Sequence, residues 1–240
     1  MTGRSVPRSP RPIRRWAIRL LAAFALGLAA YEGWILWQVW RLRDHNPRTT
    51  AFMRHGLDRL RSTNPNARLL HRWVPYRQIS PYLKQAVIAA EDQRFLDHEG
   101  FDVEAIQKAL EKNERRGRIR RGGSTISQQL AKNLFLSPRR TYLRKAQEAV
   151  ITLMIEWVLG KRRILEIYLN VIEWGSGIYG AEAAAQHYFG ESAADLYPEE
   201  AARLAAMIPS PRRYTLRPDT PYLEERTEIL LGQMEYVRVP

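Results

Sequence analysis

From Leu20 to Trp40 the chain reads LLAAFALGLAAYEGWILWQVW, about 21 residues with one charged side chain, Glu32. That length and apolarity match the ~20 residues a helix needs to cross a bilayer core. Residues 1–19 hold Arg4, Arg8, Arg11, Arg14, Arg15 and Arg19 and no acid. An arginine-rich flank stays on the cytoplasmic side of a membrane, which would put residues 41–240 outside the cytoplasm. Trp16 near one end and Trp34, Trp37 and Trp40 near the other suit the aromatic belts at membrane interfaces. No small-x-small cleavage site follows at signal-peptide distance, so the segment is expected to remain as an anchor. Glu32 is expected near the far interface or protonated in the membrane. The competing reading, a buried amphipathic helix, suits such unbroken apolarity less well.

The chain has 240 residues, a net charge of +13 and no cysteine. About 200 residues beyond the anchor suffice for one well-packed domain. A disulfide framework and a cysteine metal site are excluded. The basic excess points to an anionic partner: nucleic acid, anionic lipid or a phosphate-bearing substrate.

Residues 41–67 form a basic, membrane-proximal segment in which MRHGLDRL has the spacing of a short amphipathic helix. Residues 64–80 are expected to be irregular, with Pro65 and Pro75 breaking any helix. Beyond them the signals are helical. Ser80-Pro81 is an N-cap with proline at the first helical position. Asp102 can cap a helix over 103–114. NERRGRIRRGG is a basic, glycine-containing loop. Thr125 and Gln128 form a capping box for a helix to about Leu136. A long helix is expected from Arg139 to Leu159, stopped at Gly160, then a shorter one over KRRILEIYLNV. GIYGAEAAAQHYFG reads as an alanine-rich helix stopped by Gly190. Pro198 opens another, and Thr220-Pro221 starts the last, over 221–236. No sustained alternation of period two occurs, so the fold class is mainly α.

Three constellations carry chemistry. The helix PYLKQAVIAA is apolar at Leu83, Ala86, Val87 and Ala90 and ends on Glu91. Partial burial of Glu91 would raise its pKa toward neutrality and suit a general acid or base. In GGSTISQQLAKNLF, a helix starting near Ser124 would align Ser124, Gln128 and Lys132 on one polar face, with Ile126, Leu130 and Leu134 facing the core. A solvated face is the alternative, but such faces are usually rich in Glu and Lys. In the third, Arg140, Arg144 and Glu148 recur every four residues and Lys145 reaches the same glutamate. The helix then turns apolar at Val150, Ile151, Leu153, Met154 and Ile155, so Glu148 is expected at the border between a cationic first half and a buried second half. Cations at that spacing favour an ionised Glu148, though the same pattern also fits a simple ion-pair ladder.

AEDQRFLDHEGFD, RGGSTISQQLAKNLFL, RKAQE, KRRILEIYLN and GIYGAEAAAQHYFG occur in the order and spacing of the peptidoglycan glycosyltransferases. The chain resembles the monofunctional members most, and next the glycosyltransferase domain of class A penicillin-binding proteins, over roughly residues 68–215. Neither Ser-x-x-Lys nor Lys-Thr-Gly occurs, so a transpeptidase site is absent. The resemblance implies a lysozyme-like, two-lobed helical domain over 68–240, behind a tail (1–19), a transmembrane anchor (20–40) and the 41–67 segment. It implies inverting transfer of a lipid-pyrophosphate-linked glycan to the 4-hydroxyl of lipid II, on the outer side of the bacterial inner membrane. By position, Glu91 is the general base and Glu148 the second essential carboxylate. Asp92, Phe95, Ser124, Gln128, Gln129, Lys132, Arg140, Arg144 and Lys145 match substrate-binding positions. His98, Gly100, Asn170 and Gly180 match structural motif positions. No cofactor is obligatory. A divalent cation, Mg or Mn, is an open expectation, with Glu148 its candidate ligand. The implied partners are lipid II, the growing glycan strand, the bilayer and other cell-wall synthesis or division proteins.

The residues themselves favour synthesis over cleavage. A glycosidase needs a carboxylic acid that still holds a proton, whereas a pyrophosphate leaving group needs cations. A lysozyme-like glycan-cleaving enzyme and a non-catalytic membrane-anchored scaffold are the alternatives. Nucleic acid is not expected, because the arginines gather in the tail, the 115–121 loop and the candidate pyrophosphate site rather than on one recognition helix.

Overall fold

The computed structural model describes residues 12–116, 123–139, 141–217 and 219–240. Residues 117–122 of the expected basic loop, and Arg140, lie outside the described residues.

The chain is mainly helical, as its patterning predicts. In order come α1 (Pro12–Arg41), α2 (Ala51–Arg61), β1 (Leu70–His71), a 3-10 turn (Tyr76–Gln78), α3 (Pro81–Glu91) and α4 (Val103–Arg116). Then follow α5 (Ile126–Phe135), α6 (Tyr142–Val158), α7 (Lys161–Val171), β2 (Glu173–Gly175) and β3 (Ile178–Tyr179). The last are α8 (Ala181–Tyr188), α9 (Pro198–Met207), α10 (Pro211–Leu216) and α11 (Pro221–Met234). The expected caps form. Ser80 accepts from the Tyr82 amide, Asp102 from Ala105 and Thr220 from Leu223. Thr125 and Gln128 close a reciprocal capping box.

Two helical groups meet at the site. In one, α3, α9 and α11 pack together and bury Leu83, Val87, Leu204, Leu223 and Leu230. In the other, α5 is held by α2, α6 and α7. The α5 core face, Ile126, Leu130 and Leu134, is buried as its spacing predicts. Each such side chain contributes roughly 2 kcal/mol of transfer free energy.

A small sheet, ordered β1-β3-β2, was not foreseen. β1 runs parallel to β3, pairing Leu70 with Ile178, and β2 runs antiparallel. Strands this short cannot display an alternation, which is why 64–80 and GIYG carry no strand signal. The alanine-rich helix therefore begins at Ala181, after Gly180. Gly180 has φ +85°, and a Cβ there would stand 2.8 Å from the Asn170 carbonyl oxygen.

Two further expectations are corrected. α6 starts at Tyr142, because Thr141 accepts from the Arg144 amide and caps it, so Arg139 lies outside the helix. Its second half is also not wholly buried. Ile151 and Ile155 face the core, while Val150, Leu153 and Trp157 are exposed alongside Tyr142 and Leu143. Beside α6 lies α1, which is long and apolar enough to cross a membrane. Leu20, Leu21, Phe24 and Leu26 of α1 are exposed, while Ile35 and Val39 are buried against the rest of the protein. Glu32 sits against the protein too, accepting from Gln147 Nε2 at 3.1 Å. Helix α1 is thus continuous with the folded unit.

Candidate active site

Glu91 is the last residue of α3. The helix stops because Asp92 leaves helical geometry (φ −164°, ψ 71°) and spends its carboxylate on the next segment. Asp92 Oδ1 accepts from His98 Nε2 at 2.8 Å, and Oδ2 from the Ile126 amide at 2.9 Å. His98 Nδ1 accepts from the Gly100 amide at 3.1 Å, which fixes the ring tautomer. Gly100 has φ +90°, and a Cβ there would stand 2.8 Å from Thr152 Cγ2. This turn ties the end of α3 to the start of α5 and so holds Glu91 over α5.

There Glu91 Oε2 accepts from Gln129 Nε2 at 2.6 Å, and Gln129 Oε1 accepts from the Tyr168 hydroxyl at 3.0 Å. Burial pushes the Glu91 carboxyl above its ordinary range. The Gln129 hydrogen bond, Lys132 and Arg226 oppose that rise, and Asp92 adds to it. The result is the raised carboxyl that the apolar helix predicts. One side of it opens into a cavity of about 330 Å³, lined among others by Ser124, Asp102, Arg226 and Gln233.

Glu148 presents the contrary case. It lies on α6 with 3% of its surface exposed. Arg144 Nη1 donates to Oε2 at 2.6 Å, and Lys145 Nζ donates to Oε1. Arg144 Nε is buried and has no hydrogen-bond acceptor among the described residues. Lys132, on α5, has its ammonium 5.5 Å from the centre of the Phe52 ring. Among the described residues it makes no ion pair. Burial lowers its pKa, while both Glu148 and Glu91 raise it, so Lys132 lies within the field of both carboxylates. Among the described residues, a half-buried ammonium without an ion pair and an orphaned guanidinium N–H leave this region short of negative charge.

The positions expected to bind substrate divide. Ser124, Gln129, Lys132, Arg144 and Lys145 surround the two carboxylates. Arg140 lies outside the described residues. Ser124 does not join Gln128 and Lys132 on one helical face, because the helix begins at Ile126. Gln128 Oε1 accepts from the Thr125 amide at 3.1 Å within the capping box. Phe95 is fully buried beneath Lys161, whose ammonium is 4.7 Å from the ring centre. Both oxygens of the buried Asp92 are engaged within the protein. These three shape the site from behind. Asn170 is fully buried: its Oδ1 accepts from the Val74 amide at 2.9 Å and its Nδ2 donates to the Val74 carbonyl at 3.0 Å.

Tyr168 and Arg226 were missed. Tyr168 lies inside KRRILEIYLN, but helical spacing marks it only as a core position. Arg226 carries no local signal in the sequence. As for a metal, both Glu148 oxygens are bound by cationic side chains. Among the described residues no three His, Cys, Asp or Glu side chains group as ligands. The protein groups present do not fit a resident cation at Glu148.

A family model described as Transglycosylase matches residues 58–235. A biosynthetic peptidoglycan transglycosylase of Azoarcus sp. (strain BH72) is 61% identical over 227 residues, covering 94% of this chain and 97% of that relative. Proteins of the same name from Nitrosospira multiformis and Chromobacterium violaceum are 56% and 53% identical, each across 99% of its own length. The mainly helical, lysozyme-like fold fits the same group. With a matching family model over most of its length and such relatives end to end, the chain belongs to the transglycosylase family.

Proposed function

We propose that this protein polymerises the glycan strands of peptidoglycan, with Glu91 as general base and Lys132, Arg144 and Lys145 as the cradle for a departing pyrophosphate. The acceptor is the sugar 4-hydroxyl of lipid II, and the donor is a growing strand linked to lipid pyrophosphate. Glu91 takes the hydroxyl proton. The acceptor oxygen forms a bond to the donor anomeric carbon as that carbon's bond to the pyrophosphate oxygen breaks. Attack from the face opposite the leaving group inverts the centre and gives a β-1,4 linkage. The pyrophosphate departs with its charge, so it needs cations rather than a proton donor.

The observation that carries this reading is the shortage of negative charge beside Glu148. Both of its oxygens are already held by cations, while Lys132 and Arg144 Nε keep unmet capacity for an anion. A glycan-cleaving enzyme would need a protonated acid at that place. The anchor helix α1 would span the inner membrane with its arginine-rich end in the cytoplasm, holding the site against the bilayer where the lipid substrate resides.

The test is incubation of the detergent-solubilised full chain with purified lipid II, followed by separation of glycan products by length. A ladder of polymers is expected, with Glu91→Gln slower by at least ~10²-fold. Shortening of pre-formed glycan without elongation would instead mark a cleaving enzyme. No product from an intact protein would mark a scaffold.

A further inference from the structure

Gln129 has a hydrogen-bond partner at each end of its side-chain amide, Glu91 at the nitrogen and Tyr168 at the oxygen. A side-chain amide can sit either way round in the same space. An ionised Glu91 only accepts hydrogen bonds, so the Gln129 nitrogen must face it and the Gln129 oxygen must face away. The group waiting at that oxygen is the Tyr168 hydroxyl, 3.0 Å off, on a fully buried side chain of α7. We propose that Tyr168 is a positioning residue for the base: its hydroxyl donates to Gln129 Oε1, holds the amide with its nitrogen on Glu91, and strengthens that donation. The inference rests on the reading of Glu91 as the base.

Hydrogen bonds in series polarise one another. A proton donated to the Gln129 oxygen makes its N–H a better donor to the carboxylate. Removing the hydroxyl leaves the part-buried amide oxygen without its donor and weakens the neutral group that stabilises ionised Glu91. Burial raises the Tyr168 phenol well above its usual range, so it remains a donor across the working pH. The other groups that set the charge of Glu91 are Lys132 on α5, Arg226 on α11 and Asp92 beside it. Asp92 also bears on the Tyr168 hydroxyl through its charge, but none of the three is hydrogen-bonded to it among the described residues.

The experiment is the pH dependence of kcat for lipid II polymerisation by the full chain in detergent. For Tyr168→Phe the acidic limb should move to higher pH by ~0.5 or more, with KM within about twofold of the parent, because its hydrogen bond runs to Gln129 and on to Glu91 rather than to substrate. Gln129→Met should move the limb at least as far. The double variant should move it no further than Gln129→Met alone, since the two act in one chain. Tyr179→Phe also loses a hydroxyl hydrogen bond, to the Phe52 carbonyl at 3.2 Å. It should lower the melting temperature without moving the limb. Replacing Tyr168 by 3-fluorotyrosine keeps the shape with a more acidic donor, and should move the limb down. That variant serves if Tyr168→Phe fails to fold. A limb unmoved in Tyr168→Phe or in the fluorotyrosine protein, or additive shifts in the double variant, would overturn the proposal. Glu91→Gln, run in parallel, separates the two ideas: full activity there would sink the base assignment itself.

Discussion

Glu91 and Glu148 share a side chain and a neighbour, Lys132, and differ in almost everything else. Glu91 ends a helix whose flank is apolar, and its closest hydrogen-bond partner is a neutral amide. Glu148 lies mid-helix, buried, with a guanidinium on one oxygen and an ammonium on the other. The first surroundings make a proton easy to accept, because burial disfavours the charged form. The second surroundings place a cationic donor on each oxygen. One carboxylate is built to exchange a proton and the other to organise cations. Lys132 between them is drawn to both and paired with neither.

The strongest way to break this comparison is to neutralise each carboxylate in turn. Glu91→Gln should lose at least ~10²-fold in turnover while the fold holds or gains stability. The pKa of Glu91 in the folded protein lies above its ordinary value of 4.5, so ionising it on the way to neutral pH costs stability. The gain from glutamine should vanish below that ordinary value and grow as pH rises through the raised one. Glu148→Gln should also abolish activity but should destabilise, by about 2 kcal/mol, because the partly buried Arg144 guanidinium loses its counterion. Thermal melts of both variants at acidic and neutral pH check the contrast. Equal melting shifts would mean that the two sites are not opposites.

Next in size is the cation between them. Lys132→Ala should slow turnover ~10²-fold, the cost of one donor to developing charge in a dry site. Arg238→Ala, which breaks an exposed pair with Asp97, should change the rate by less than about twofold. Initial rates on lipid II measure both. Similar mild losses would remove Lys132 from pyrophosphate stabilisation.

The smallest effect sharpens the comparison. The rate should follow a bell. It should fall on the acid side as Glu91 protonates, above the usual carboxylate range. It should fall on the alkaline side as Lys132 loses its proton, below 10.5. Arg226→Ala removes a cation that favours ionised Glu91, so the acid limb should rise by ~0.3 in pH with the alkaline limb fixed. A limb that falls, or stays, would show that Arg226 does not act on the base.

The features legible in the sequence are those that depend on neighbours a few residues away. The long apolar helix α1 is written in a run of apolar residues. The caps at Ser80, Asp102, Thr125 and Thr220 are local hydrogen bonds between a side chain and an amide two or three residues on. The raised carboxyl at Glu91 follows from the apolar stripe before it, and the ion pairs of Glu148 from helical spacing. Tertiary structure decided which side chains meet across helices. Helical periodicity shows which residues share a face, not what that face will touch. So Gln128, one position from Gln129, turned out to be a cap, while Gln129, 38 residues from Glu91 in the chain, donates to it. Asp92 and Phe95 are expected as site residues through the family resemblance alone. Packing turned both inward, where one spends its oxygens joining α3 to α5 and the other fills the core. Tyr168 and Arg226 reach the base only because α7 lies against α5 and α11 against α3, and no pattern within either helix encodes that meeting.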